Sequence, residues 1–293
     1  MKNFLLYLLM LPLITVAHPG IGIVKDSKGN IYYTDLKQVW KIAKNGSKSV
    51  VVKNVHTHEL YMDAADNLFG EHLWYNGEKL DTWGYYVWRL KNNGILDTVI
   101  KPSVGFLTNY SFVRDGIGCM YYVERSAISQ FKKKYPNGKI ETIAQGKFKD
   151  IRWMHATING IVYFIDYHDL YKLDINRKFK LIAKDIPGHS GGGRHSLFGI
   201  WTDKNDNTYI ANYSGRVVKQ ISQTGEMKNL VFSNFPWGPT GGLFDENGNL
   251  WVLEASLTNA VRVRKILKND IVLQKKPFLN NNIFPILFSI GFY

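Results

Sequence analysis

Gly242-Leu243-Phe244-Asp245-Glu246-Asn247-Gly248-Asn249-Leu250-Trp251 is an apolar run, a polar turn and a second apolar run. The chemistry of the turn is that of a β-hairpin. Asp accepts backbone N–H bonds, and Gly or Asp three residues later tolerates positive φ. The same pattern stands at residues 22–32, 60–69 and 199–209, with the shared core Asp-x-x-[Gly/Asp]-Asn. Asp26 and Asp63 are 37 residues apart, and Asp203 and Asp245 are 42 apart. The interval from Asp63 to Asp203 is 140 residues, which leaves room for two degenerate copies. Residues 110–122 and 154–164 supply them, the second read with a shorter turn.

Each hairpin is followed by a short alternation of apolar and polar residues: Trp40-Lys41-Ile42, Trp88-Arg89-Leu90, Tyr171-Lys172-Leu173 and Arg264-Lys265-Ile266, with looser copies at Ser129-Gln130-Phe131 and Lys219-Gln220-Ile221. Period two marks a third strand. Turns at Asn45-Gly46, Asn93-Gly94, Asn137-Gly138 and Thr224-Gly225 come next, and fourth strands follow at residues 49–52 and 140–143. Six copies of a unit that cannot bury its own apolar faces predict an all-β chain, a six-bladed β-propeller of four-stranded antiparallel blades. The propeller is expected to fill residues 18–276. Residues 277–293 form an apolar tail read as an outer strand or a packed extension.

The 293 residues are 45% hydrophobic and 14% aromatic, enough for a core, so global disorder is excluded. One cysteine, Cys119, excludes an intramolecular disulfide framework and a cysteine-rich metal site. The formal charge is +13 but is spread along the chain, without a basic helix or aromatic-basic RNA motif. A solvated lysine-rich surface is the expectation, and nucleic acid is not an expected partner. Residues 1–17 read as a secretory signal peptide: Lys2, an apolar stretch, then small residues ending at Ala17. The mature chain is expected to be secreted or periplasmic, monomeric and without a membrane span.

Residues 22–35 and 239–253 resemble NHL repeats and the blades of SMP-30/gluconolactonase-type propellers. That resemblance implies the propeller fold over nearly the whole mature chain. It also implies an early channel Glu, matched here by Glu59, with Asn and Asp ligands at later blade starts. The family's Pro-Asp-Gly-Leu element falls on Pro239-Thr240-Gly241-Gly242, so Thr240 replaces the ligand Asp. Ser196-Leu197-Phe198 stands where the family has Asn.

In a propeller the first strand of each blade lines the central channel. The expected blade starts are Ile21-Gly22, His58-Glu59, Tyr110-Ser111, Met154-His155, Phe198-Gly199 and Thr240-Gly241. His58, Glu59, His155 and His195 therefore approach one mouth as candidate ligands of a divalent metal (zinc, copper or calcium), leaving a position for an activated water. The layout resembles zinc-centred propeller lyases of amidated-peptide precursors, without their full signature or disulfides. The other reading makes these histidines channel-lining hydrogen-bond groups. Glu59, Arg152 and Arg194 are the candidate catalytic residues, the arginines holding an anionic group. Glu71-His72 reads as a surface pair at a strand end. Residues 188–196 form a glycine-rich loop suited to a channel mouth, and residues 74–88 are an aromatic insertion whose rings could stack on a ligand or staple two blades. Two functions follow: a metal-dependent hydrolase or lyase of a small lactone or ester at the channel mouth, or a non-catalytic propeller binding a glycan, peptide or protein.

Overall fold

A computed structural model describes residues 19–188 and 193–271. The signal-peptide and tail readings lie outside the described residues. Blade 1 holds β1 (Ile23–Lys25), β2 (Ile31–Thr34), β3 (Gln38–Ile42) and β4 (Lys48–Lys53), and blade 2 holds β5 (Leu60–Met62), β6 (Leu68–Tyr75), β7 (Trp83–Leu90) and β8 (Leu96–Val104). Blade 3 has β9 (Met120–Glu124), β10 (Ser129–Lys134) and β11 (Ile140–Gly146). Blade 4 has β12 (Ile151–Ala156), β13 (Val162–Asp166), β14 (Asp169–Leu173) and β15 (Phe179–Ala183). Blade 5 has β16 (Leu197–Thr202), β17 (Thr208–Asn212), β18 (Val217–Ile221) and β19 (Met227–Phe232). Blade 6 has β20 (Trp237–Phe244), β21 (Leu250–Ser256) and β22 (Val261–Ile266), followed by a single helical turn, α1 (Lys268–Ile271). Every sheet is an antiparallel meander in sequence order, as the hairpin repeats predict.

The turn chemistry is the expected one. Asp203 Oδ1 accepts the N–H groups of Asn205 and Asn207 at 2.8 and 3.0 Å, and its Oδ2 accepts Asn207 Nδ2 at 2.9 Å and Tyr209 OH at 2.8 Å. Asp26, with Asn30 and Tyr32, repeats this network, and Asp245 does so with Asn249 and the indole N–H of Trp251. The turn Asn then accepts the backbone N–H that opens the next turn of its blade: Lys44 on Asn30, Asn92 on Asn67 and Lys268 on Asn249. One Asp–Asn pair thus joins both hairpins in blades 1 and 2, and in blade 6 it ties the first hairpin to the start of α1.

Two blades depart from four strands. The inner strand of blade 3 shrinks to one bridge between Arg114 and Met120. There the Ser111 hydroxyl donates to the Tyr121 carbonyl, taking an acceptor that a ladder N–H would otherwise use. Blade 6 has three strands among the described residues. The turn of blade 4 is not shorter than the others. Thr157 N donates to the Ile161 carbonyl and Gly160 N to the Thr157 carbonyl, the same closure as at Asp26, with Thr in place of Asp.

Apolar contacts hold the blades together. Between blades 3 and 4, Phe131, Phe148, Phe164 and Phe179 pack with ring centroids 4.8 to 5.9 Å apart. Tyr163, Ile165 and Leu170 of blade 4 share a buried cluster with Leu197 and Ile210 of blade 5.

Replacing Asp203 with Ala strands four donors and is expected to cost about 2–4 kcal/mol. Asp63→Ala, which has no tyrosine hydroxyl to lose because Phe69 fills that place, should cost about 1 kcal/mol less. Chemical denaturation of both variants checks the order.

Candidate functional site

The common turn geometry sets the register of the channel. Counting back five and four residues from each turn Asp, or from Thr157 in blade 4, the blade starts are Ile21-Gly22, His58-Glu59, Tyr110-Ser111, Arg152-Trp153, Phe198-Gly199 and Thr240-Gly241. The expected Met154-His155 is thereby corrected to Arg152-Trp153. His155 stands two or three places further along its strand, roughly 7–10 Å deeper.

The ring is asymmetric around this level. A side chain at Gly199 would place its Cβ 2.8 Å from the Thr240 carbonyl oxygen, and one at Gly241 would collide with the Ile21 carbonyl. Ile21 and Gly22 also donate to the His58 carbonyl at 2.8 Å. Blades 5, 6 and 1, and blade 1 with the start of blade 2, therefore meet through backbone. Blades 2, 3 and 4 carry side chains at the same level, and a basin of about 860 Å³ opens there. His58, Glu59, Tyr110, Arg152 and Trp153 line it, with the connection from β8 to β9 forming one wall.

Two carboxyl groups meet in the basin. Glu71, on β6, is 4% exposed. Its Oε1 accepts the His58 N–H at 2.5 Å and the Glu59 N–H at 3.4 Å, and lies 3.4 Å from His58 Nδ1. Its Oε2 is buried with no hydrogen-bond partner among the described residues. The Glu71 backbone is also pinned, because its carbonyl accepts Trp88 Nε1 at 3.0 Å and the Thr57 hydroxyl. Glu59 stands beside it at the waist of the channel. Burial first, and then the charge of Glu71, push the Glu59 carboxyl up to about 7, although His58, Arg125 and Arg114 pull the other way. A carboxyl of that kind holds a proton near neutrality beside a second carboxyl fixed by backbone donors.

Arginines dominate the basin's outer part. Arg152 Nε and Arg194 Nε share Asp150 Oδ2 at 2.8 and 2.9 Å. Burial raises the Asp150 carboxyl, but the two arginines outweigh it and hold Asp150 at about 2. Arg125 donates to the Ile151 carbonyl at 2.9 and 3.1 Å and makes no ion pair among the described residues. Arg114 is turned toward the waist, its guanidinium over the rings of Tyr61 and Tyr110 at 5.4 and 5.1 Å.

The candidate metal ligands are separated. His58 and Glu59 line the basin. His155 lines a second cavity of about 370 Å³ at the other mouth, which shares Glu59 with the basin. Its Nε2 lies 3.1 Å from Thr202 Oγ1, and burial lowers the ring to about 4. His195 sits on the rim with Nδ1 3.1 Å from Arg152 Nη1. Among the described residues no three or more His, Cys, Asp or Glu are grouped to hold a metal ion. Thr240 is fully buried, its hydroxyl toward the Leu253 carbonyl at 3.4 Å. These residues do not fit a zinc, copper or calcium centre built on the expected quartet. Of the glycine-rich loop, residues 189–192 lie outside the described residues.

Glu71 is the residue that sequence reasoning misplaced, reading it as a surface group. A signal was present. Eight residues after the turn Asp or Thr the other blades carry Thr34, Val123, Ile165, Ala211 and Leu253, so a carboxylate at this inward position stands out. Arg125 was missed as well, because it follows β9 rather than starting a blade.

No protein-family model and no curated protein matches the sequence. Solved structures do match in fold. A streptogramin B lyase superposes with a TM-score of 0.56 at 10% identity, over 87% of this chain and 95% of that one. A gluconolactonase from Xanthomonas campestris gives 0.56 at 11% identity, over 85% and 87%. Regucalcin from Agrobacterium tumefaciens, a calcium-binding protein, gives 0.54 at 14% identity, over 80% and 82%. The chain has the fold of the SMP-30/gluconolactonase-like propellers. At these identities the likeness establishes architecture and leaves chemistry to the site.

His155 supplies a pH test. Its ring is depressed from 6.5 to about 4, so the unfolded chain binds the proton more readily. The stability it contributes is present above pH 6.5 and is lost as pH falls toward 4, by about 3 kcal/mol. His155→Gln should flatten the acid limb of a stability-versus-pH curve by about that amount. An unchanged limb would contradict the buried neutral ring.

Proposed function

We propose that the protein is a hydrolase or lyase acting on a small anionic lactone or ester in the basin, with Glu59 and Glu71 as its acid–base pair. The observation that carries this reading is the juxtaposition of Glu59, raised to about 7, with Glu71, whose Oε1 is held by backbone N–H groups and whose Oε2 is buried and unpartnered. Ring opening by water and elimination both need a base to remove a proton and an acid to protonate the departing oxygen. In the hydrolytic form the ionised carboxylate takes a proton from water as the water oxygen bonds to the carbonyl carbon. The protonated carboxyl then gives its proton to the alkoxide as the C–O bond breaks. Glu71 is the group fixed for the first role, and Glu59 the one protonated near neutrality for the second. Arg152 and Arg194, which share one carboxylate between them, and Arg125, which pairs with none among the described residues, favour a substrate carrying a carboxylate.

The names of the fold's solved members, a gluconolactonase and a streptogramin B lyase among them, agree with this class of chemistry. No step is routed through a metal, because the donors do not gather. The N-terminal pattern supports placing the activity outside the cytoplasm, and no described helix is long and apolar enough to cross a membrane.

A panel of small lactones and esters, each with and without a carboxylate, tests the reading. Glu59→Gln should lower kcat at least about 100-fold. Arg152→Gln should raise KM roughly tenfold for carboxylate-bearing substrates and leave neutral ones nearly unchanged. Absence of turnover across the panel would favour the non-catalytic propeller that binds a glycan, peptide or protein, and full activity in Glu59→Gln would overturn the acid–base pair.

A further inference from the structure

The hairpin of β6 and β7 runs well beyond its blade, and its two faces differ. On one face Trp74 and Tyr86 pack around His72, with ring centroids 5.0 to 6.2 Å apart. On the other face Tyr75 and Trp83, a cross-strand pair in the β6–β7 register, stand 5.3 Å apart between ring centroids, and Phe106 continues the row 5.7 Å from Trp83. These three rings are 42%, 38% and 56% exposed. An exposed cross-strand pair alone is ordinary hairpin chemistry. Phe106 is not part of that hairpin. It comes from the connection to blade 3, and it lines the basin. The row of rings is therefore continuous with the basin wall.

The row is also held in place. Tyr75 OH donates to Asp81 Oδ1 at 2.9 Å, and the Trp83 carbonyl accepts the Gly105 N–H at 2.7 Å, next to Phe106. Two exposed apolar residues adjoin it in sequence, Leu80 at 64% and Val104 at 75%. A platform for a sugar would set hydrogen-bonding groups around the rings to meet hydroxyls in the ring plane. Here Asp81, the carboxylate nearest the rings in sequence, is taken by Tyr75.

We infer that Tyr75, Trp83 and Phe106 form a subsite for an aromatic group of the ligand whose carboxylate is taken by the basin arginines. The inference rests on the proposed reading of the basin as an anion-accepting site, and it narrows the substrate to an aryl-bearing acid ester or lactone. The rings favour offset or edge-on contact with a planar apolar group, and two such contacts correspond to about a tenfold gain in affinity.

Calorimetric binding of 3-phenylpropanoate and 6-phenylhexanoate against propanoate and hexanoate tests this without turnover. At least one aryl acid is expected to bind about tenfold more tightly than its alkyl counterpart, and the ratio should fall to near 1 in both Trp83→Ala and Phe106→Ala. A ratio near 1 in the unmodified protein overturns the inference. So does a ratio that survives both substitutions, or gluconate binding that exceeds aryl-acid binding and is lost in Trp83→Ala. Circular dichroism confirms that the variants fold. The reaction is tested separately: Glu59→Gln should keep the aryl preference, and a preference without turnover retains the subsite while removing the catalytic reading. Arg125→Gln should weaken all four acids, and failure to do so overturns the anion-accepting basin on which the inference stands.

Discussion

The turn carboxylate that closes the first hairpin in five of the six blades, with Thr157 in its place in blade 4, is the interaction on which the rest of the molecule depends. An Asp that accepts two backbone N–H groups, an Asn side chain and an aromatic O–H or N–H leaves the turn one way to close. Closure fixes the hairpin register, and register fixes which residue stands at the channel. A shift of two residues along a strand keeps a side chain on its face but moves it about 7 Å. Along β12, Arg152 and Trp153 line the basin while His155 lines the cavity at the other mouth.

On that frame the molecule makes an unequal ring. Gly199 and Gly241 let blades 5, 6 and 1 meet through backbone, while Glu59, Ser111 and Trp153 occupy the corresponding level in blades 2, 3 and 4. Space, and with it desolvated polar chemistry, collects on one side. Burial and the neighbouring charge of Glu71 then push the Glu59 carboxyl up to about 7. Glu71 keeps backbone donors, and at Glu59 the pull of His58, Arg125 and Arg114 does not offset burial. Further out, Arg152 and Arg194 share a single carboxylate among the described residues, Asp150, which leaves the outer part of the basin cationic above an acidic floor.

Much of the fold was legible in the sequence because turn chemistry is local and repeats. Asp26, Asp63, Asp203 and Asp245 announce their hairpins from residue types alone, and Asn-Gly turns mark the third strands. The fourth copy was harder to place. Thr157 does the work of Asp with one hydroxyl, and reading its turn as shorter moved His155 into a site it does not reach. The metal quartet failed for that reason, and because His195 is engaged by Arg152. Glu71 was legible only by comparing blades at the second strand, where a carboxylate replaces residues such as Val123 and Ile165. The strand count of blade 3 was not legible, because a single serine hydroxyl competing for the Tyr121 carbonyl leaves little trace in a strand pattern.

The central claim is that Glu59 holds a proton near neutrality beside a fixed carboxylate. Infrared difference spectroscopy of the carboxyl C=O band, unmodified protein against Glu59→Gln and followed from pH 4 to pH 9, reads it directly. The account predicts a protonated carboxyl band that disappears with a midpoint near 7 and is missing in the variant. A Glu59 band that is already lost by the ordinary glutamate range, near 4.5, would contradict it.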